Sequence, residues 1–109
     1  MSAASYKTSR VCLLVGREAC LDAICIVFAD LPMQMGQPRT FRCVWHNPPH
    51  DMQSRHFSAE TMWIFSLREA SAAEAAPTII ALHQQGFTGT VVSKKEMRTI
   101  MREEYPRLI

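Results

Sequence analysis

The predicted fold depends on residues 61–93, TMWIFSLREASAAEAAPTIIALHQQGFTGTVVS. The apolar and aromatic run at 62–67 predicts a buried strand, and the Ala-rich segment that ends at Gly86 predicts a helix. A second apolar run at 87–92 predicts another strand. Two strands joined by a helix run parallel, so this stretch predicts a βαβ unit around which the rest of the chain packs.

The other elements follow from apolar spacing and from helix start signals. A continuous apolar run at 11–15 predicts a central strand that is covered on both faces. Apolar residues at helical spacing between 17 and 31 predict a helix that stops at Pro32, and alternation at 40–46 predicts a strand. Ser71 with Glu74, and Ser93 with Glu96, are spaced as capping boxes that start two further helices.

The segment at 50–60 decides between two architectures. If it is a crossover helix, the chain forms an α/β fold, a small doubly wound and largely parallel four-stranded sheet with flanking helices. If it is a loop, the strands on either side pair as a hairpin, and the fold is α+β and ferredoxin-like. We expect the first of these.

Length and composition predict one domain in a reducing compartment. The chain has 109 residues, which indicates a single domain at 10–109 after a flexible tail at 1–9. Its four cysteines lie in apolar runs without paired spacing, as buried thiols of cytoplasmic proteins do. Charges at 17, 18, 22 and 30 interrupt the longest apolar region, so no membrane association is predicted.

Residues 62–67 and the segment ALHQQGFTGTVVS at 81–93 resemble the third strand, third helix and fourth strand of response-regulator receiver domains. The resemblance implies a receiver-like fold and a role in signalling. This chain has Gly16, Arg17 and Glu18 where receivers carry an acidic pair, and Ser66 or a neighbour where they carry the phosphate-accepting aspartate. The resemblance therefore implies a truncated pseudo-receiver that works independently of phosphorylation.

The sequence offers two alternative sites, neither of which we prefer. One is a metal site or a small enzyme active site in the region of Cys43, His46, His50 and His56, because thiolate and imidazole are the ligands that zinc prefers. Cys43 and His46 would lie on opposite faces of one strand, which argues against their joint use. The other is a nucleic-acid surface, in which Arg39, Arg42 and Arg55 would pair with phosphates and Trp45 would stack on a base. The net charge of +2 makes a nucleic-acid partner an unfavoured prediction.

The preferred function is that of a non-catalytic regulatory or adaptor module that binds another protein or a second copy of itself. No catalytic residues and no cofactor are predicted, since the chain has no phosphate loop or dinucleotide fingerprint. Apolar positions without an evident place in the core predict the contacts. These predicted contact residues are Ile26, Met33, Met35, Trp45, Met97 and Met101.

Overall fold

The computed structural model describes residues 6–34 and 39–106. The elements follow in the order β1 (Val11–Glu18), β2 (Leu21–Gln34), β3 (Thr40–His46), β4 (Phe57–Glu60), α1 (Thr61–Ser66), β5 (Arg68–Glu69), α2 (Ala72–Gln84) and α3 (Lys94–Glu103). The strands form one antiparallel sheet in the order β4-β3-β2-β1-β5. The predicted parallel, doubly wound α/β sheet is therefore wrong, and this meander of β1 to β4 is not the ferredoxin-like alternative either.

The first error concerns residues 17–31, where the predicted helix is instead the end of β1, a two-residue turn and most of β2. β1 and β2 form a hairpin in which Val11 pairs with Phe28 and Glu18 pairs with Leu21. Ala19 and Cys20 make the turn, with φ angles of 51° and 68°. Turns with two left-handed residues usually carry Asn and Gly, and neither is present here, so the hairpin had no turn signal in the sequence.

The second error concerns residues 62–67, where the predicted strand is the short helix α1. The preceding strand, β4, already pairs with the outer edge of β3. Ile64 is fully buried, whereas Met62 is 82% exposed. A strand would place these two side chains on one face, so their different burial follows from the helical geometry. The predicted strand at 87–92 is reduced to a single bridge, between Val11 and Val91.

Continuous apolar strands arise here because helices cover both faces of the antiparallel sheet. We call these faces the α3 face and the α2 face. On the α3 face, β1 to β4, α1 and α3 contribute the buried residues Cys12, Leu14, Cys25, Val27, Ala29, Phe41, Cys43, Ala59, Ile64, Met97, Ile100 and Met101. On the α2 face, the buried residues are Val11, Leu13, Ile24, Ile26, Phe28, Leu31, Val44, Ala75, Leu82 and Phe87.

Both predicted capping boxes are confirmed. The Ser71 hydroxyl accepts a hydrogen bond from the backbone N–H of Glu74, and Ser93 accepts one from Glu96 in the same way. α2 begins at Ala72, the start that its capping box indicates, and it continues through Pro77. None of the helices in the described ranges is long and apolar enough to cross a membrane.

Candidate anion-binding pocket

Three of the six predicted protein contacts are buried and so are not available to a partner. Ile26, Met97 and Met101 are buried in the two cores. Trp45 is half-buried against Phe57 and Trp63, with ring centroids 5.7 and 6.1 Å away. Met33 is exposed at 45% of its surface, and Met35 lies outside the described residues.

The residues of the predicted metal site do not come together. Cys43 is buried in the core of the α3 face, whereas His46 contacts α2 on the opposite face. His50 is exposed, and His56 stacks on Phe28 with ring centroids 5.7 Å apart. Within residues 6–34 and 39–106, no group of three or more His, Cys, Asp and Glu side chains could hold a metal ion.

His46 has both ring nitrogens occupied by hydrogen bonds. Its Nε2 lies 3.1 Å from the carbonyl oxygen of His50, which can only accept, so Nε2 carries the proton and donates it. Its Nδ1 lies 2.6 Å from the Thr78 hydroxyl and accepts from it. Burial lowers the pKa of His46 below its usual value. This imidazole is therefore a neutral structural link between β3 and α2.

The buried thiols are poor nucleophiles because burial favours their neutral form. Burial raises the pKa of the Cys12 thiol to about 12. A hydrogen bond with Cys43 raises the pKa of Cys25, and burial raises it further. A thiol must lose its proton to attack or to bind a metal. Cys12 and Cys25 are therefore poorly suited to act as nucleophiles or as metal ligands.

The arginines considered for a nucleic-acid surface are also dispersed. Arg42 lies between Phe41 and Cys43, whose side chains both face α3, so the Arg42 side chain points to the opposite face of the sheet. There its positive charge helps to lower the pKa of His56. Trp45 belongs to the α3 face. Arg55 is exposed in the segment between β3 and β4. These groups cannot act on one strand of nucleic acid together.

A pocket on the α3 face does bring basic and apolar groups together. It has a volume of about 350 Å³, which falls in the lower part of the usual range for small-ligand sites. β3, α1, α3 and their adjoining residues form its walls. The lining residues are Arg39, Phe41, Thr61, Phe65, Arg98, Met101, Arg102, Tyr105 and Pro106. We call it the Arg39 pocket.

Local sequence spacing explains how these side chains reach one place. Arg39 precedes β3 and Phe41 lies two residues later, so both face the same side of the sheet. Arg98 and Arg102 are four residues apart on α3, one turn of helix, with Met101 beside them. Thr61 and Phe65 have the same spacing on α1.

Arg39 is the central feature of this pocket because its charge is buried and uncompensated. Its residue surface is only 2% exposed, although it lines the pocket. One Nη donates a hydrogen bond to the carbonyl oxygen of Pro106. Its Nε and Nη1 are buried and have no hydrogen-bond partner in the described part of the chain. Buried guanidinium groups are normally paired with an anion, and none of the described residues supplies one to Arg39.

The other groups in the pocket add positive charge and apolar surface. The guanidinium of Arg98 lies 4.7 Å from the centre of the Phe65 ring, and Arg102 is exposed at the rim. The Tyr105 ring packs edge-on against Phe41, and its hydroxyl donates to Asp30 at 2.9 Å. No carboxylate is among the lining residues. The pocket can therefore bind an anionic group attached to an apolar body.

The sequence predicts Arg39 as a phosphate contact of a nucleic-acid surface, but Arg98, Arg102 and Phe65 were not predicted as site residues. The available signal was the i, i+4 pair of arginines beside Met101 on a helix, which places two cations next to an inward-facing residue. The burial of Arg39 had no sequence signal, because it depends on how α1 and α3 cover the sheet. Searches of protein-family models, of curated proteins and of solved structures found no match to this chain.

Proposed function

We propose that the protein is a non-catalytic regulatory or adaptor module, and that its ligand places an anionic group against Arg39. One observation carries the proposal. In the described part of the chain, two guanidinium nitrogens of the buried Arg39 have no partner, and the pocket around them is lined by further arginines and by no carboxylate. An uncompensated buried charge destabilises a fold. A ligand that supplies the missing anion removes that penalty and gains charge-assisted hydrogen bonds.

Other arginines of the protein differ from Arg39 because they have carboxylate partners, and this difference supports a binding role for Arg39. Arg10 is bonded to Asp30 and Glu104 at 2.5 and 2.7 Å, and Arg68 is bonded to Glu74 at 2.8 Å. These cations already have carboxylate partners on the protein. In the described ranges, no ion pair involves Arg39.

The proposal of a non-catalytic role is supported by the hydrogen bonding of His46 and by the protonation of the buried thiol of Cys12. His46 uses both ring nitrogens in structural hydrogen bonds, and burial keeps Cys12 in its thiol form. A binding role needs neither group. We also propose a cytoplasmic setting, which the free thiols of Cys12, Cys20, Cys25 and Cys43 support.

The proposal is tested by titrating the whole chain with sodium benzoate and, separately, with inorganic phosphate, while recording amide NMR spectra. We expect benzoate to shift the signals of Phe41, Phe65 and Met101. Benzyl alcohol, which has the ring without the charge, should bind at least about tenfold more weakly, because one charge-assisted hydrogen bond contributes about 1.5–3 kcal/mol.

The matched variants are Arg102→Gln and Lys95→Gln, since both residues are exposed cations on α3 and only Arg102 lines the Arg39 pocket. We expect Arg102→Gln to weaken anion binding and Lys95→Gln to leave it unchanged. If neither anion shifts signals in the pocket, or if both variants weaken binding equally, the pocket does not bind anions and the proposed function is wrong.

A further inference from the structure

The chemistry of the Arg39 pocket also specifies its ligand. We infer, on the basis of the proposed function, that the anionic group is a phosphate monoester on an aromatic ring, presented by a phosphorylated tyrosine side chain of a partner protein. Three features of the described residues lead to this class of ligand: the number of cations, the nature of the walls, and the surface outside the pocket.

The number of cations favours a phosphate over a carboxylate. Arg39, Arg98 and Arg102 line the pocket without an acidic residue among the lining residues. A carboxylate offers one negative charge and two oxygens, whereas a phosphate monoester carries about −1.5 to −2 charges and three acceptor oxygens near neutral pH. One guanidinium group can donate hydrogen bonds to two phosphate oxygens at once. A phosphate monoester can therefore accept hydrogen bonds from more of the arginine N–H groups of this pocket than a carboxylate can.

The walls favour an aromatic ring as the carrier of the phosphate. Phe41, Phe65 and Met101 give the pocket an apolar interior. Phe41 and Tyr105 already pack edge to face, with ring centroids 6.1 Å apart and an interplanar angle of 74°. A further ring can extend this arrangement. Phosphorylated serine has no apolar body that could cover these side chains.

The surface next to the pocket favours a protein as the source of the ring. Met62 is 82% exposed and lies three residues before Phe65 on α1, so the two side chains are neighbours on the helix surface. A free aryl phosphate that fills about 350 Å³ leaves Met62 uncovered. Residues that flank a phosphorylated tyrosine in a partner can cover it.

The test compares four probes by calorimetry on the whole chain: phenyl phosphate, benzoate, O-phosphoserine, and a short peptide with phosphotyrosine followed by leucine. We expect phenyl phosphate to bind about 10- to 100-fold more tightly than benzoate or O-phosphoserine, because it combines the extra charge with the ring. The peptide should bind more tightly still. The same peptide with unphosphorylated tyrosine should not bind.

The pH dependence gives an independent readout. The second ionisation of a phosphate monoester has a pKa of about 6, so phenyl phosphate should bind more tightly at about pH 7.5 than at about pH 5.5. Benzoate is fully ionised over this range, and its affinity should change much less.

Four variants test which residues the ligands contact. Arg39→Gln should lose most affinity for phenyl phosphate, and if it does not fold, the exposed Arg102→Gln replaces it in the test. Met62→Ser should weaken the peptide severalfold and leave phenyl phosphate unchanged. Lys95→Gln, on the same helix as Arg102 but outside the pocket, should behave as the parent protein.

The outcomes separate this inference from the proposed function. If benzoate binds as tightly as phenyl phosphate, the phosphate inference is wrong while anion binding stands. If the peptide binds no more tightly than phenyl phosphate and Met62→Ser changes nothing, the partner-protein part is wrong. If none of the probes binds, both proposals are wrong.

Discussion

Arg39 is a buried cation without an anionic partner among the residues that the structure describes, whereas Arg10 has two such partners. An uncompensated buried charge costs free energy, and replacing it with an apolar side chain of similar length removes that cost. We therefore expect Arg39→Met to raise the free energy of unfolding by about 1–3 kcal/mol in the absence of ligand. The same variant should lose anion binding.

Urea denaturation of the parent and of Arg39→Met measures the effect on stability. Lys95→Met is the control, since an exposed substitution should change stability by no more than about 0.5 kcal/mol. A clear loss of stability in Arg39→Met would show that Arg39 is a structural residue and that its charge is compensated in the free protein.

At His46 the structure predicts a pH-dependent stability. Burial lowers the pKa of His46, and it also lowers that of His56, so the unfolded chain binds more protons than the folded protein below the usual histidine pKa of about 6.5. The free energy of unfolding is therefore highest above the usual histidine pKa, and it decreases as the pH is lowered through that pKa. Urea unfolding at about pH 7.5 and about pH 5.5 should show this loss.

The variant His46→Gln should reduce the pH-dependent part of the loss and lower stability at both pH values, because Thr78 loses a well-matched partner. His50→Gln is the control, since His50 is exposed. An unchanged pH dependence in His46→Gln would mean that His46 titrates in the folded protein as it does in the unfolded chain.

At the scale of elements, the β1–β2 turn carries strain that a substitution can relieve. Cys20 has a φ of 68°, a conformation that costs about 1 kcal/mol or more for residues other than glycine. We expect Cys20→Gly to raise the urea midpoint. The matched control is Ala76→Gly, at an exposed position inside α2, which should lower stability by about 1 kcal/mol. A lower midpoint for Cys20→Gly would contradict the turn geometry.

The elements differ in how well they could be predicted from the sequence. The helices at 72–84 and 94–103 were predictable because Ser71 and Ser93 start them with capping boxes. The β1–β2 hairpin was not, because the apolar residues of β2 are needed on both faces of the sheet and so imitate helical spacing. The helix α1 was not, because its short apolar sequence also suits a strand.

At the scale of the molecule, two cores share one sheet. β1, β2 and β3 contribute buried residues to both faces, so loss of either core removes the support of the other. We expect a single cooperative unfolding transition. Fluorescence of Trp45 and Trp63 reports on the α3 face, and far-ultraviolet circular dichroism reports on the whole backbone. Different midpoints for the two signals would show that the faces unfold separately.

The site was less predictable than the elements because it is assembled from distant segments. Arg39, Phe65 and Arg102 come together only when α1 and α3 cover the same face of the sheet. Local spacing cannot reveal that arrangement. The homodimer predicted from the sequence stays a prediction, and it has lost part of its basis, because Ile26, Met97 and Met101 belong to the cores.

The most direct measurement is the NMR signal of the Arg39 Nε–H group, followed while phenyl phosphate is added to the whole chain. In the free protein this group is buried and has no hydrogen-bond partner among residues 6–34 and 39–106. We expect its proton signal to move downfield as it donates to a phosphate oxygen, in step with the binding curve from calorimetry. A signal that stays in place while the ligand binds would show that Arg39 does not hold the anion, and would contradict the account.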